Sequence, residues 1–314
     1  MARAYRNPYV PGRVTSLGAP ARGVTHERPR VIYVMGAGRS GSTTLGITLG
    51  NCAGVFYAGE LDNWLARSGT PQVEDAQRTR FWARVQGHLN DPEAAAKLFG
   101  DGPQRSIERS LSLFRVREWR TRRRLSGPYR AVCEDLFRAL TQAAGEPCIA
   151  DTSHYPLRAR ELQRLTGIDL YVILLVRDPQ GVVASFNRRD VGEFTKSTLH
   201  SNVYLWVTYV LSLLVFLRHP RERRLFLRYE DFVADPGSIM RQILDLCGCP
   251  DEGLPDFGSL QIGVPLQGNR VSRTRTLALR STAERAPRVS RLTAVLQAPL
   301  TALLRAFARP RARI

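Results

Sequence analysis

Gly36-Ala-Gly-Arg-Ser-Gly-Ser-Thr-Thr-Leu-Gly46 follows the apolar run Val31-Ile-Tyr-Val-Met35 and leads into Leu45-Gly-Ile-Thr-Leu49. A buried strand that turns through glycines into a helix N-terminus aims several backbone N–H groups at one spot. The positive end of the helix dipole reinforces that spot as an anion site. The candidate ligand-binding residues are Gly38, Arg39, Ser40, Gly41, Ser42, Thr43 and Thr44. Gly36 and Gly41 have the G-x-x-x-x-G spacing of a nucleotide phosphate loop, but Ser42 stands where such loops carry Lys. The fixed cation is Arg39, inside the loop. This predicts a phosphate-like ligand other than a simple magnesium triphosphate.

Outward from this loop, apolar runs of strand length alternate with helical patterns. Strands are expected at 31–35, 55–57, 148–150, 170–176 and 225–227, and helices at 43–50, 130–144, 156–166, 179–189, 197–218 and 236–247. Strands that are apolar throughout, each followed by a helix, predict an α/β fold: a P-loop-like central parallel sheet flanked by helices. Residues 65–130 break the alternation and read as a largely helical insertion, a lid or acceptor-facing subdomain within a domain spanning 30–280.

The chain has 314 residues and a formal net charge of +18. That charge suits an anionic partner, whether nucleotide, nucleic acid, acidic glycan or anionic lipid, and does not choose among them. The five cysteines make an odd count, and Cys247-Gly-Cys249 lacks the two-residue gap of a redox or zinc pair. No metal site is expected, and reduced, buried cysteines in a cytoplasmic protein are. Residues 1–29 contain no apolar secretory core and read as a disordered basic lead-in. Val203 to Leu217 is apolar but short of the ~20 residues a spanning helix needs, so a buried core helix is expected. The basic segment 281–314 is amphipathic, with Pro299 expected to kink or split its helix. It reads as a packing or fraying terminus, with a peripheral membrane contact or partner-binding helix as the alternative.

A second anion site follows the run Leu170 to Val176. Asp178 can cap the next helix and Pro179 suits its first position, which leaves Arg177 at the C-terminal edge of a buried strand. Ser185 and Arg189 lie four residues apart and share a helix face. Arg177, Ser185 and Arg189 together suit a second phosphate through charge-assisted bonds.

The first motif, G-x-G-R-S-G-S-T, and the second, R-D-P-(x)5-S-(x)3-R, resemble the 5′-phosphosulfate and 3′-phosphate motifs of the sulfotransferases that use 3′-phosphoadenosine 5′-phosphosulfate (PAPS). The resemblance spans most of 30–275, in order. It includes Asp151-Thr-Ser-His154, Arg228-Tyr-Glu-Asp-Phe232 with Asp235-Pro236, and Gly268-Asn-Arg270. It implies a metal-free transfer of a sulfuryl group from PAPS to a carbohydrate, lipid or secondary-metabolite acceptor, with Asn269 and Arg270 closing over the nucleotide. Arg39 in the loop is similar to the carbohydrate- and tyrosine-directed branches.

An in-line sulfuryl transfer needs an acceptor deprotonated and charge neutralised on the leaving oxygen. Arg39 is the candidate for neutralisation. Glu60 is the candidate base, at a position where related carbohydrate- and tyrosine-directed members carry Glu, and Asp62 reads as an ordinary acid in a helix first turn. His154 is the rival base; related members tend to place Lys there, so an electrostatic helper or a neighbour of a helix cap are equally open roles for it. Two other readings compete. A kinase-like phosphotransferase would use Thr43 at the Walker position and Leu174 to Asp178 as a Walker B-like strand. A non-catalytic basic protein would bind nucleic acid or lipid through its Arg clusters, although no nucleic-acid-binding motif supports it.

Overall fold

The computed structural model describes residues 28–67, 69–73, 75–100, 102–186, 198–250, 253–268, 274–279 and 291–308. Arg189, Asn269, Arg270 and most of the lead-in lie outside the described residues.

Five parallel strands form the central sheet: β1 (Arg30–Gly36), β2 (Val55–Gly59), β3 (Cys148–His154), β4 (Asp169–Val176) and β5 (Arg224–Arg228), in the order β2-β3-β1-β4-β5. Side chains alternate across the pleat, so Val31, Tyr33 and Met35 of β1 enter one apolar layer while Ile32 and Val34 enter the other. Both faces are covered, which is why the strands read as continuous apolar runs. One layer is closed by α1 (Ser42–Leu49), α10 (Tyr229–Ala234) and α11 (Pro236–Cys247). The other is closed by α3 (Ala76–Gly87), α6 (Val116–Ala144), α7 (Pro156–Leu162), α8 (Pro179–Phe186), α9 (Thr198–Arg218) and α12 (Arg291–Ala308). A short antiparallel pair, β6 (Leu260–Gln261) and β7 (Thr276–Leu277), lies apart from the sheet.

Between β2 and β3 the insertion is helical: α2 (Asp62–Ala66), α3, α4 (Pro92–Phe99), α5 (Arg105–Glu108), a 3-10 turn (Ser110–Phe114) and the first half of α6. Phe81, Trp82, Phe99, Ile107 and Leu125 from this stretch are buried in the same layer as β1 and β4, so the insertion shares the core of the sheet.

Three local expectations are corrected. Cys148 and Cys249 form a disulfide across 101 residues, because the left-handed turn at Gly248 after α11 brings Cys249 beside the start of β3. Cys52, Cys133 and Cys247 are buried and take no part in this disulfide. Of the kink or split expected at Pro299, the split is overturned: α12 runs through it as one helix. And α9 is buried on one side only. Leu205, Tyr209, Leu213 and Phe216 face the core, while Leu199, Val203, Val210, Leu214 and Leu217 are exposed, since a helix packed on one side leaves its far stripe in solvent.

Candidate active site

The site lies beyond the C-terminal ends of β1, β3 and β4, where β1 sits between strands from both halves of the chain. Because Gly36 pairs with Leu175 in register, the loops that leave β1 and β4 emerge side by side. The Arg177 Nη1 donates to the Arg39 carbonyl at 3.4 Å, and the Arg177 guanidinium stands 5.0 Å from the Tyr229 ring centroid. Asp178 caps α8 as expected, its Oδ2 accepting from Gly181 N at 3.0 Å, and its own N–H donates to Glu230 Oε1 at 3.0 Å. Ser185 stands partly exposed in the last turn of α8.

The turn after β1 is built for an anion. Arg39 and Gly41 both take left-handed φ values, 70° and 94°. Gly41 supplies no side-chain cap, and the first bond into the helix is Leu45 N to Gly41 O. The N–H groups of Ser42, Thr43 and Thr44 thus precede the helical ladder and point out of its positive end. Donors arranged in this way suit an anion. A Cβ on Gly41 would stand 2.2 Å from Tyr229 Cδ2. Gly41→Ala is therefore expected to destabilise the fold by about 1–3 kcal/mol, read in thermal melts, because it strains φ and displaces the ring on which Arg177 rests.

Two tyrosines from α9 were not anticipated. Tyr209 Oη lies 3.0 Å from Ser40 Oγ and accepts from Arg177 N at 3.3 Å, so one hydroxyl ties the two loops together. Tyr204 Oη accepts from Gly38 N at 3.1 Å. The signal was present as phenols inside an apolar helix, since a buried tyrosine hydroxyl requires a polar partner. Its partners could not be read without the fold.

His154 is the last residue of β3, not a residue after it, and its φ of 55° is left-handed. Tyr33 pairs with Asp151 and Met35 with His154, so β3 carries an extra residue against β1. This bulge re-aims the end of the strand toward the glycine loop. His154 Nε2 lies 4.0 Å from where a Cβ of Gly38 would stand, and Phe186 Cζ lies 3.6 Å from the same point. His154 and the end of α8 therefore both border the loop.

Glu60 follows β2, and its N–H donates to Gln267 O at 2.9 Å. The segment that leads into Asn269 and Arg270 consequently runs beside it. Gly59 is required there, because a Cβ would stand 2.4 Å from that same carbonyl. The Glu60 carboxyl is pushed up to about 8, first by burial, then by the like charges of Asp62 and Asp151, with Arg39 opposing. Arg39 and Glu60 are thus electrostatic neighbours.

Asp62 is more than an ordinary first-turn acid. It is buried, its Oδ1 has no hydrogen-bond partner among the described residues, and its carboxyl is pushed up to about 7, mainly by burial against the attraction of Arg158. Its N–H donates to Ser153 Oγ at 3.0 Å, and Ser153 in turn donates to Asp151. Beneath lies a buried ion cluster: Arg158 Nη2 to Asp151 Oδ2 at 2.9 Å and Arg158 Nη1 to Glu108 Oε1 at 3.2 Å. Tyr129 Oη accepts from Arg158 and donates to Glu108. Glu108 comes from α5, so the insertion reaches the underside of the site. Sequence reasoning passed over Arg158, one arginine among many in this chain.

The site thus joins a glycine turn after β1, a basic edge after its neighbour β4, and a buried carboxyl with raised pKa after β2 on the other side of β1. The model of the sulfotransferase family matches residues 29–253, and the chain belongs to that family. It is an α/β sulfotransferase. No curated protein matches the sequence. Among solved structures, the sulfotransferase domain from the curacin biosynthetic pathway is 18% identical, covering 88% of this chain and 99% of that one at a TM-score of 0.48. The sulfotransferase domain from the Synechococcus PCC 7002 olefin synthase is 20% identical, covering 91% and 98% at 0.48. A sulfotransferase from Alicyclobacillus acidocaldarius is 16% identical, covering 90% and 100% at 0.43.

Proposed function

We propose that this sulfotransferase takes its sulfuryl group from PAPS, places it on a hydroxyl or amine of a carbohydrate, lipid or secondary-metabolite acceptor, and releases 3′,5′-ADP. The single observation that carries this reading is the junction of the two loops. Arg177 touches the Arg39 carbonyl, and Tyr209 bonds to both sides, so one nucleotide can be held at both of its anionic ends.

When bound, PAPS supplies a sulfuryl group already activated on a phosphate leaving group. The N–H groups of Ser42, Thr43 and Thr44 hold that end, with the hydroxyls of Ser40, Ser42, Thr43 and Thr44 beside them. Arg39 neutralises charge on the departing oxygen. Arg177 and Ser185 hold the 3′-phosphate. Glu60 takes the proton from the acceptor, and His154 at the far side of the loop orients or polarises it.

Titration calorimetry with 3′,5′-ADP in the absence of magnesium tests the reading. Binding by the wild type is expected, with Arg177→Ala weakening it about 10- to 100-fold through loss of a charged hydrogen-bonding partner. Ser185→Ala should weaken it about fivefold. Binding of ATP with magnesium in place of 3′,5′-ADP would instead favour phosphoryl transfer.

A further inference from the structure

The large apolar side chains that the fold leaves exposed are concentrated in one region. Among the described residues every one except Leu98 lies on the turn preceding α6 and its first helical turn, on α9, or on α12. These elements touch: the 3-10 turn and α12 both pack against α9.

On α9 the exposed stripe is Leu199, Val203, Val210, Leu214 and Leu217. At 100° per residue, Asn202 and Trp206 fall on one side of this stripe and Tyr204 on the other. Asn202 and Trp206 bond to α12 through Thr293 and the Leu296 carbonyl. Tyr204 lies within the electrostatic reach of Arg109, the residue immediately before the 3-10 turn. The stripe therefore runs between α12 and the 3-10 turn, and the second border is also the border of the glycine loop, since Tyr204 bonds Gly38. Leu199–Arg218 is apolar and long enough to cross a membrane by composition alone, yet half of it is buried against the protein.

Beside it, Phe114 and Val116 are each 72% exposed and Trp119 is 52% exposed. The Trp119 indole N–H donates to the Leu113 carbonyl at 2.8 Å, so its ring can enter an apolar phase without stranding a donor. Val116, Trp119, Arg120 and Arg123 share one face of α6 at i, i+3, i+4 and i+7, opposite the buried Leu125 and Tyr129. Arg117 and Arg124 are exposed along one flank of it, and Glu118 is the one acid from Leu111 to Arg124.

We infer that this face, the exposed stripe of α9 with the 3-10 turn and first two turns of α6, docks on an anionic lipid bilayer. Apolar side chains with an aromatic pair suit the acyl boundary, and arginines on long apolar stems suit the headgroup phosphates. Charge decides the occupant. A second copy of the chain would bring an arginine-rich face against its like, in a protein of net charge +18, whereas an anionic leaflet complements it. Docked in this way, the mouth of the glycine loop at Tyr204 stands at the lipid surface.

Co-sedimentation of the full chain with vesicles tests this. Phosphatidylcholine vesicles containing phosphatidylglycerol are expected to bind the protein, more weakly as salt rises, and phosphatidylcholine vesicles alone are not. Trp119→Glu and Leu214→Glu, on separate elements, should each weaken binding about tenfold or more. Both sites are exposed, so melting temperature and 3′,5′-ADP affinity should stay at wild-type values, which separates this proposal from the nucleotide reading. Absence of binding to anionic vesicles, equal binding to neutral ones, or binding unchanged in both variants would overturn it. So would a wild-type dimer in sedimentation equilibrium that the same substitutions disperse while vesicles capture nothing.

Discussion

Glu60→Gln is expected to lower sulfuryl transfer by about a thousandfold, in the range lost when a general base is removed, while leaving 3′,5′-ADP affinity unchanged. The pH dependence gives a sharper reading. Burial and the neighbouring acids lift the Glu60 carboxyl to about 8, so most of it is protonated near neutrality and cannot accept a proton. The wild-type rate should therefore climb as pH rises through about 8 and level off above it. Asp62→Asn removes one of the like charges that raise Glu60, so its rising limb should move to lower pH. The same shift has a cost in stability. The native carboxyl keeps a proton that the unfolded chain, at the ordinary value of 4.5, releases, so native stability falls as pH rises from there through about 8. Glu60→Gln should show a smaller fall, since Asp62, raised to about 7, and Glu108, raised to about 8, keep their own shares of it. Steady-state rates and urea melts across pH measure both; an unaltered rising limb in Glu60→Gln would move the base to His154.

Arg158→Met is the second large effect, an expected loss of about 3–5 kcal/mol in urea unfolding. Asp151 and Glu108 are buried acids whose cationic partner is Arg158, at 2.9 and 3.2 Å. Removing the guanidinium leaves two carboxylates with no counter-charge in a poorly solvated interior. Burial already lifts the Glu108 carboxyl to about 8 against the attraction of Arg158, and loss of that attraction lifts it further. The deficit against wild type should therefore widen as pH rises through about 8 and narrow below it. A deficit that ignores pH would mark a packing loss instead. Activity should fall with stability, because Asp151 holds Ser153 and Ser153 holds the N–H of Asp62, two residues from Glu60. Arg158 is thus a positioning residue, acting on the base through the chain that it steadies.

Much of this architecture was legible in the chain alone. The strand positions, the apolar character of β1 and β4, and the capping of α8 by Asp178 follow from short-range patterns that depend on neighbours within a few residues. The glycine turn was legible for the same reason, since glycines and a helix start are local features. The end of β3 was not. His154 takes a left-handed backbone and a bulge only because β3 must fit between β1 and β2, where registers shift on both sides. Local pattern likewise assigned Asp62 to an ordinary helix start, whereas in the fold it is buried, tied to Ser153 of β3 and under the charge of Arg158 from α7.

The sequence by itself determined the parallel sheet, the glycine turn with its internal Arg39, and the basic edge at Arg177, because each is specified by spacing and side-chain chemistry within a single element and its turn. Only the tertiary structure decided that Tyr209 joins the two loops and that Arg158 neutralises acids from β3 and α5. Tertiary packing alone also exposed an apolar stripe on α9. Each of these depends on groups distant in the chain and close in space, and on which face of a helix the core covers. Hydrophobic periodicity shows that a helix has such a face; the partners that meet it are chosen by the packing of the whole chain.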